Sequence, residues 1–283
     1  MAEEIEQSVV NLNEGDDHTT NADVEMAEGA EQQDNEDDAN HENEQPVAPE
    51  DAQQPTTFLS YLASPIVTLV VGKEEQTSLS AHQALLCKSP YFERICAQFE
   101  EGAPRRVELL EDDVTAVSCF LEYLYTGEYF PKKVPGTREL ESHPSIPTVD
   151  DSGSELLKHA RVYTLAEKFE MQALRALASS KVHCVNATVK GEIVFARYAY
   201  QYTSNDDTTV RAPIARFWAT RSHTLRAEAE DEFKALCLEF PQFGYDVLTR
   251  VLDDKLKKER NEKMHPSTGS GRKRARHSSG GKD

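Results

Sequence analysis

Three side chains within eight residues, His82, Cys87 and Ser89, are of the types that carry out nucleophilic chemistry. Such chemistry needs more than closeness in sequence, because nucleophile, base and an orienting partner must meet in space. Each of these residues has a simpler local task. Ser89 precedes Pro90, a pattern that starts a helix. The serine oxygen satisfies an orphan backbone donor, and proline at the first helical position loses nothing by lacking an N–H. His82 ends a strand-like stretch and reads as a structural hydrogen-bonding residue. His183-Cys184 is the only adjacent pair suited to a metal, but no second Cys or His lies at the short spacing of a structural zinc site. No Gly-rich phosphate loop is present, and paired carboxylates are confined to the N-terminal segment and to loops. No catalytic, cofactor-binding or metal residues are therefore expected, and the chain reads as a non-enzyme.

The charge distribution separates a body from its ends. Of the formal −19, a net −18 lies in residues 1–72, where no Lys or Arg precedes Lys73. Residues 1–56 also hold few large apolar side chains. They cannot bury enough surface to offset conformational entropy and are expected to form a disordered acidic tail. Residues 264–283 are Gly/Ser-rich and basic, so a disordered basic tail is expected there. The five cysteines (Cys87, Cys96, Cys119, Cys184, Cys237) are odd in number and widely spaced. Each lies in an apolar helical context, which predicts reduced core thiols of an intracellular protein. The polar, acidic N-terminus does not have the pattern of a secretory signal, and no apolar run is long enough to span a bilayer.

The elements that position these residues follow from periodicity. Residues 57–62 form a short helix with Phe58, Leu59, Tyr61 and Leu62. The β-branched run 66–71 is a strand closed by a turn at Gly72, and 77–81 and 106–110 are further short strands. Behind Ser89, the residues Tyr91, Phe92, Ile95, Cys96 and Phe99 share one helical face. Asp112 or Asp113 caps the next helix, whose stripe is Val114, Val117, Phe120, Leu121 and Leu124, and Gly127 is placed as its C-cap. Residues 131–153 are polar and Pro-rich and read as a structureless surface insertion, ending at a capping box over Ser152 and Glu155. Beyond residue 182 the spacing predicts helices at 188–202, 210–221, 227–238 and 241–263.

Three segments carry a family resemblance. The signature His82, Leu85, Leu86, Ser89, Tyr91, Phe92 resembles the "His-x-x-Leu-Leu-x-x-Ser-x-Tyr-Phe" motif of BTB/POZ domains. The run from Phe120 through Tyr123 and Tyr125 to Gly127 is similar to that family's second signature, and the run from Ala160 to Phe169 to its third. The resemblance implies an α+β fold: a BTB/POZ-like cluster of helices flanked by a short three-stranded sheet at 57–181, followed by an α-helical extension at 182–263. No recognised second module, such as kelch repeats or zinc fingers, is visible.

The resemblance also implies a protein–protein interaction module that self-associates and recruits a partner. Phe58, Leu59, Tyr61 and Leu62 are the candidate homodimer interface, since an exposed aromatic-apolar cluster suits an isologous contact. Two sharper roles stand as alternatives: substrate adaptor of a cullin-type ubiquitin ligase, or nuclear scaffold or transcription co-regulator. For the adaptor, Tyr123, Tyr125 and Tyr129, on the helix 114–125 and a strand near 128–130, are the candidate partner-docking face. For the nuclear role, Arg272, Lys273, Arg274 and Arg276 are a candidate import signal. Direct nucleic-acid binding is not expected, because these few cations face the repulsion of 18 carboxylates in the N-terminal tail. Membrane association is not expected either.

Overall fold

The computed structural model describes residues 57–264, and the expectations for the acidic and basic tails lie outside them. The molecule is α+β. The described residues begin with a short helix α1 (Phe58–Leu62), then strands β1 (Ile66–Val71) and β2 (Thr77–His82). Helices α2 (Gln83–Leu86) and α3 (Pro90–Cys96) lead to β3 (Arg106–Leu109) and then α4 (Val114–Thr126). The sheet order is β2-β1-β3, with β1 antiparallel to β2 and parallel to β3. A parallel pair needs a long crossover, and α2 and α3 supply it. As the central strand, β1 is covered on both faces: Val67, Leu69, Val70 and Val71 are all buried. That explains its nearly continuous apolar run.

Local signals place the helix ends. Ser89 caps α3, accepting a hydrogen bond from the Phe92 N–H at 3.5 Å. Asp113, one of the two expected candidates, caps α4 through the Ala116 N–H at 2.9 Å. Gly127 closes α4 in the left-handed region at φ 79°, which only glycine enters without a steric penalty.

The segment before α5 (Ser154–Lys168) departs from expectation twice. It is not structureless: Lys133 and Leu140 form an antiparallel bridge, and the Glu141 N–H donates to the Lys132 carbonyl at 2.8 Å. Nor does a Ser/Glu capping box start α5. Gly153 is the N-cap residue, with no side chain to offer. The buried carboxylate of Asp150 reaches in instead and accepts from the N–H groups of Ser154, Glu155 and Leu156 at 2.9–3.0 Å. Three of the four orphan donors of the helix are thus satisfied by one side chain.

The remaining helices are α6 (Gln172–Val182), α7 (Val189–Tyr202), α8 (Thr208–Glu228), α9 (Glu230–Glu239) and α10 (Pro241–Met264). One apolar core runs from the sheet through α4, α5 and α6 into α7 and α8. On α5, Ala160 and Tyr163 face Phe195, Tyr198 and Ala199 of α7. Polar ties reinforce this contact. The Tyr163 hydroxyl donates to Asp207 at 2.8 Å, Arg175 pairs with the same carboxylate at 3.2 Å, and Thr164 and Tyr198 hydroxyls lie 2.8 Å apart. Farther out, fully buried Trp218 of α8 packs against Phe233 of α9 and Phe243 of α10. The extension therefore packs on the first part of the chain rather than standing apart as a separate bundle.

Candidate protein-interaction surfaces

The signature His82–Phe92 builds an internal corner. The Tyr125 hydroxyl lies 2.6 Å from His82 Nδ1 and accepts from the His82 backbone N–H at 3.1 Å. The Ser89 hydroxyl is inaccessible and donates to the Phe169 carbonyl at 2.7 Å. His82 and Ser89 are thus committed to different distant elements, and the three potential nucleophilic residues form no relay. Burial lifts the Cys96 thiol to about 12, which removes its thiolate character at neutral pH. Phe92, Phe120 and Phe169 form one aromatic cluster with ring centroids 4.8–5.6 Å apart. All three signature segments meet in this cluster, and Leu85 and Leu86 of the first are buried as well.

The tyrosines expected on a docking face divide. Tyr123 and Tyr125 are partly exposed on α4. Tyr129 is not available to a partner: it is fully buried, with its hydroxyl 2.9 Å from His159 Nδ1. Nor do residues 128–130 form a strand. The backbone carbonyls of Tyr129 and Pro131 accept instead from the buried ammonium of Lys181, which also pairs with Glu128 at 2.6 Å and lies over the Tyr129 ring. A buried cation with three oxygen partners and an aromatic face consumes the groups a strand would use. Desolvation pushes Lys181 below the ordinary lysine range while Glu128 pulls it up. The same burial holds His159 neutral, at about 3, with the Lys158 and Lys181 charges adding to the effect.

Helix α1 is the reverse case. None of its residues is buried, and Phe58, Leu59 and Leu62 are exposed, Leu59 at 74%. Tyr61 is partly covered, with Lys88 Nζ 4.4 Å above its ring. The helix lies against α2, and the residues just past its C-terminal end tie the chain to that helix. Ser64 Oγ accepts from the Ala84 N–H at 3.1 Å, and the Pro65 carbonyl accepts from the Gln83 N–H at 2.8 Å. The import candidates Arg272, Lys273, Arg274 and Arg276 lie outside the described residues. Among the described residues no helix is long and apolar enough to cross a membrane.

Sequence reading missed Asp150, Lys181 and a second apolar face on α10. Lys181 carries no local signal because its partners, Glu128, Tyr129 and Pro131, are about 50 residues away, and Asp150 carries none because it stands outside the usual N-cap position, three residues before Gly153. The α10 face had one: Tyr245, Leu248, Leu252 and Leu256 form a stripe separate from Phe243 and Val247.

A small sheet, a helical cluster built around a capped corner, and apolar side chains left on the outside define an interaction scaffold. Residues 67–183 match the family profile described as BTB/POZ domain, so this part of the chain is a BTB/POZ domain. Such a domain is a protein–protein interaction module. No curated protein matches the chain in the comparison with them.

Proposed function

We propose that this protein is a non-enzymatic scaffold that self-associates through α1 and recruits a second protein. The supporting observation is the exposure of Phe58, Leu59 and Leu62 on a helix that buries none of its residues. Such a patch is costly to leave in water, at about 25 cal/mol per Å² of apolar surface, and a twofold contact covers it on both copies at once. Light scattering at micromolar concentration should give more than a monomer mass, and Leu59→Asp with Leu62→Asp should lower it. An unchanged mass in that variant removes α1 from the interface.

The second protein has a narrower surface, the exposed parts of Tyr123 and Tyr125 at the end of α4. These support the role of adaptor to a cullin-type scaffold. In that role the helices beyond residue 183, or the tails, would have to read the substrate. A nuclear co-regulator role draws instead on Arg272, Lys273, Arg274 and Arg276. Affinity purification discriminates the two: stoichiometric cullin favours the adaptor, and chromatin proteins without cullin the co-regulator. If the basic cluster directs import, changing its four cations to Ala should move a fluorescent fusion out of the nucleus. Unaltered distribution removes the import role.

A further inference from the structure

Beyond Val247, helix α10 has no buried side chain: of the whole helix only Phe243 and Val247 reach the core. Tyr245, Leu248, Leu252 and Leu256 recur at spacings of three, four and four residues. At about 100° per residue they share one face, turned away from the buried pair. Their exposure runs from 50% at Leu252 and Leu256 to 64% at Tyr245. Singly exposed leucines are ordinary, but an aligned stripe about 17 Å long is an interaction surface.

Charge indicates what covers the stripe. Between 245 and 258, Lys255 is the only charged residue within about 80° of the stripe's midline. Two copies of the stripe therefore offer each other no opposite charge. Arg260 and Lys263 flank its continuation against Glu259 and Glu262. Residues 255–283 together hold ten Lys and Arg against three Asp and Glu, a net +7. Residues 1–56 of the same chain are the complement, with 18 carboxylates and no Lys or Arg. Their densest group of branched apolar residues is Ile5, Val9, Val10 and Leu12, and Ile5, Val9 and Leu12 fall at the four- and three-residue spacing of one helical face. Acidic residues flank that group on both sides. The 39 residues 18–56 span at most about 130 Å. A body the size of residues 57–264 has a radius of gyration of about 17 Å, so every part of it is within reach.

We propose that residues 3–17 dock on the outer face of α10 within the same chain, with Ile5, Val9 and Leu12 against Leu248, Leu252 and Leu256 and the flanking carboxylates toward Lys255, Arg260 and Lys263. Both partners belong to one chain, so the contact forms at an effective concentration of about 1 mM. A dissociation constant of about 100 µM then closes it in about nine molecules of ten. Closed, this clasp withholds the α10 stripe from other proteins. A basic protein that competes for the acidic segment opens it. The clasp does not use α1.

Hydrogen exchange of the full chain tests it, with substitutions confined to residues 3–17 so that α10 itself is unaltered. Amides of 248–263 should exchange about tenfold faster when Ile5→Asp, Val9→Asp and Leu12→Asp are combined. Neutralising Glu3, Glu4, Glu6, Glu14, Asp16 and Asp17 to Gln or Asn should give a smaller increase at the same amides. Unchanged exchange in either variant overturns the proposal. A carbodiimide, which joins a carboxylate to an amine in contact with it, should link residues 3–17 to Lys255 or Lys263. In a mixture of isotope-labelled and unlabelled protein, these links should join segments of like isotope only. Mixed pairs would mean a contact between copies. Links spread evenly over exposed lysines elsewhere, Lys88 and Lys190 among them, would mean that the segment has no seat. Either result overturns the proposal. Leu59→Asp with Leu62→Asp removes the α1 contact and should leave the exchange of α10 unaltered, so the two readings fail separately. Faster exchange of α10 in that variant would tie its protection to self-association and overturn the clasp.

Discussion

At the scale of single residues, polar side chains in this protein act as internal fasteners. Ser89 joins α3 to the end of α5, His82 and Tyr125 join β2 to α4, and Lys181 holds the chain leaving α4. Two titratable groups, fully buried His159 and partly buried Glu192, give a pH signature. His159 is held at about 3 against an ordinary 6.5. Between those values the unfolded chain binds one more proton than the native state, so this group makes stability rise with pH. The slope is about 1.4 kcal/mol per pH unit. Glu192, at the start of α7, is raised by burial to about 7 against an ordinary 4.5, with Asp150 adding to the rise and Arg221 opposing it. Over that window the native state binds the extra proton, so its contribution falls as pH rises. The two slopes oppose each other between 4.5 and 6.5. Removing the imidazole in His159→Gln should expose the Glu192 slope. Urea midpoints of the variant should then fall with pH across that interval relative to the unaltered protein. Parallel profiles would show that His159 titrates normally.

At the scale of elements, what decides is how each helix end is satisfied. Asp150 caps α5, and its own backbone joins the start of α7 as well: its N–H donates to the Asn186 carbonyl at 2.8 Å and its carbonyl accepts from the Thr188 N–H at 3.2 Å. The approach is tight. A Cβ on Gly191 would meet the Asp150 carbonyl oxygen at 2.6 Å. Asp150→Ala leaves the Glu155 and Leu156 N–H groups without a partner and the Ser154 N–H with only Ser152 Oγ at 3.3 Å, and should cost about 2 kcal/mol, read as a lower denaturant midpoint with unchanged slope. A loss within a few tenths of a kcal/mol would mean that water replaces the carboxylate fully. The opposite design governs α1 and the outer face of α10, where apolar side chains stay exposed and the elements are free to meet another surface.

At the scale of the whole molecule, the helices beyond residue 183 share a core with the BTB/POZ domain. Tyr163, Arg175 and Asp207 tie α5, α6 and the start of α8 together. Burial of a common apolar surface makes the units cooperative. The described region should therefore unfold in one calorimetric transition, and two resolved transitions would contradict the shared core. Ending the chain at residue 183 would strip Phe195, Tyr198 and Ala199 from Ala160 and Tyr163. That should lower the melting temperature and promote aggregation.

The amino-acid sequence alone determined those features whose cause is local. Ser89-Pro90 sets a helix start because cap and proline act within one turn, Gly127 sets a helix end through its positive φ, and the apolar periods of 3.6 and 2 set the helices and strands. Its three signatures identified the family for the same reason: they are short patterns of local geometry. Tertiary structure decided everything that rests on distant partners. Tyr129 turned inward because Lys181 and His159 meet it, and Asp150 displaced the expected Ser/Glu cap from outside the helix it serves. Periodicity likewise cannot say which apolar stripe finds a neighbour. Phe243 and Tyr245 look alike in the sequence, and only the packing of α8 and α9 against one side of α10 leaves the other side open.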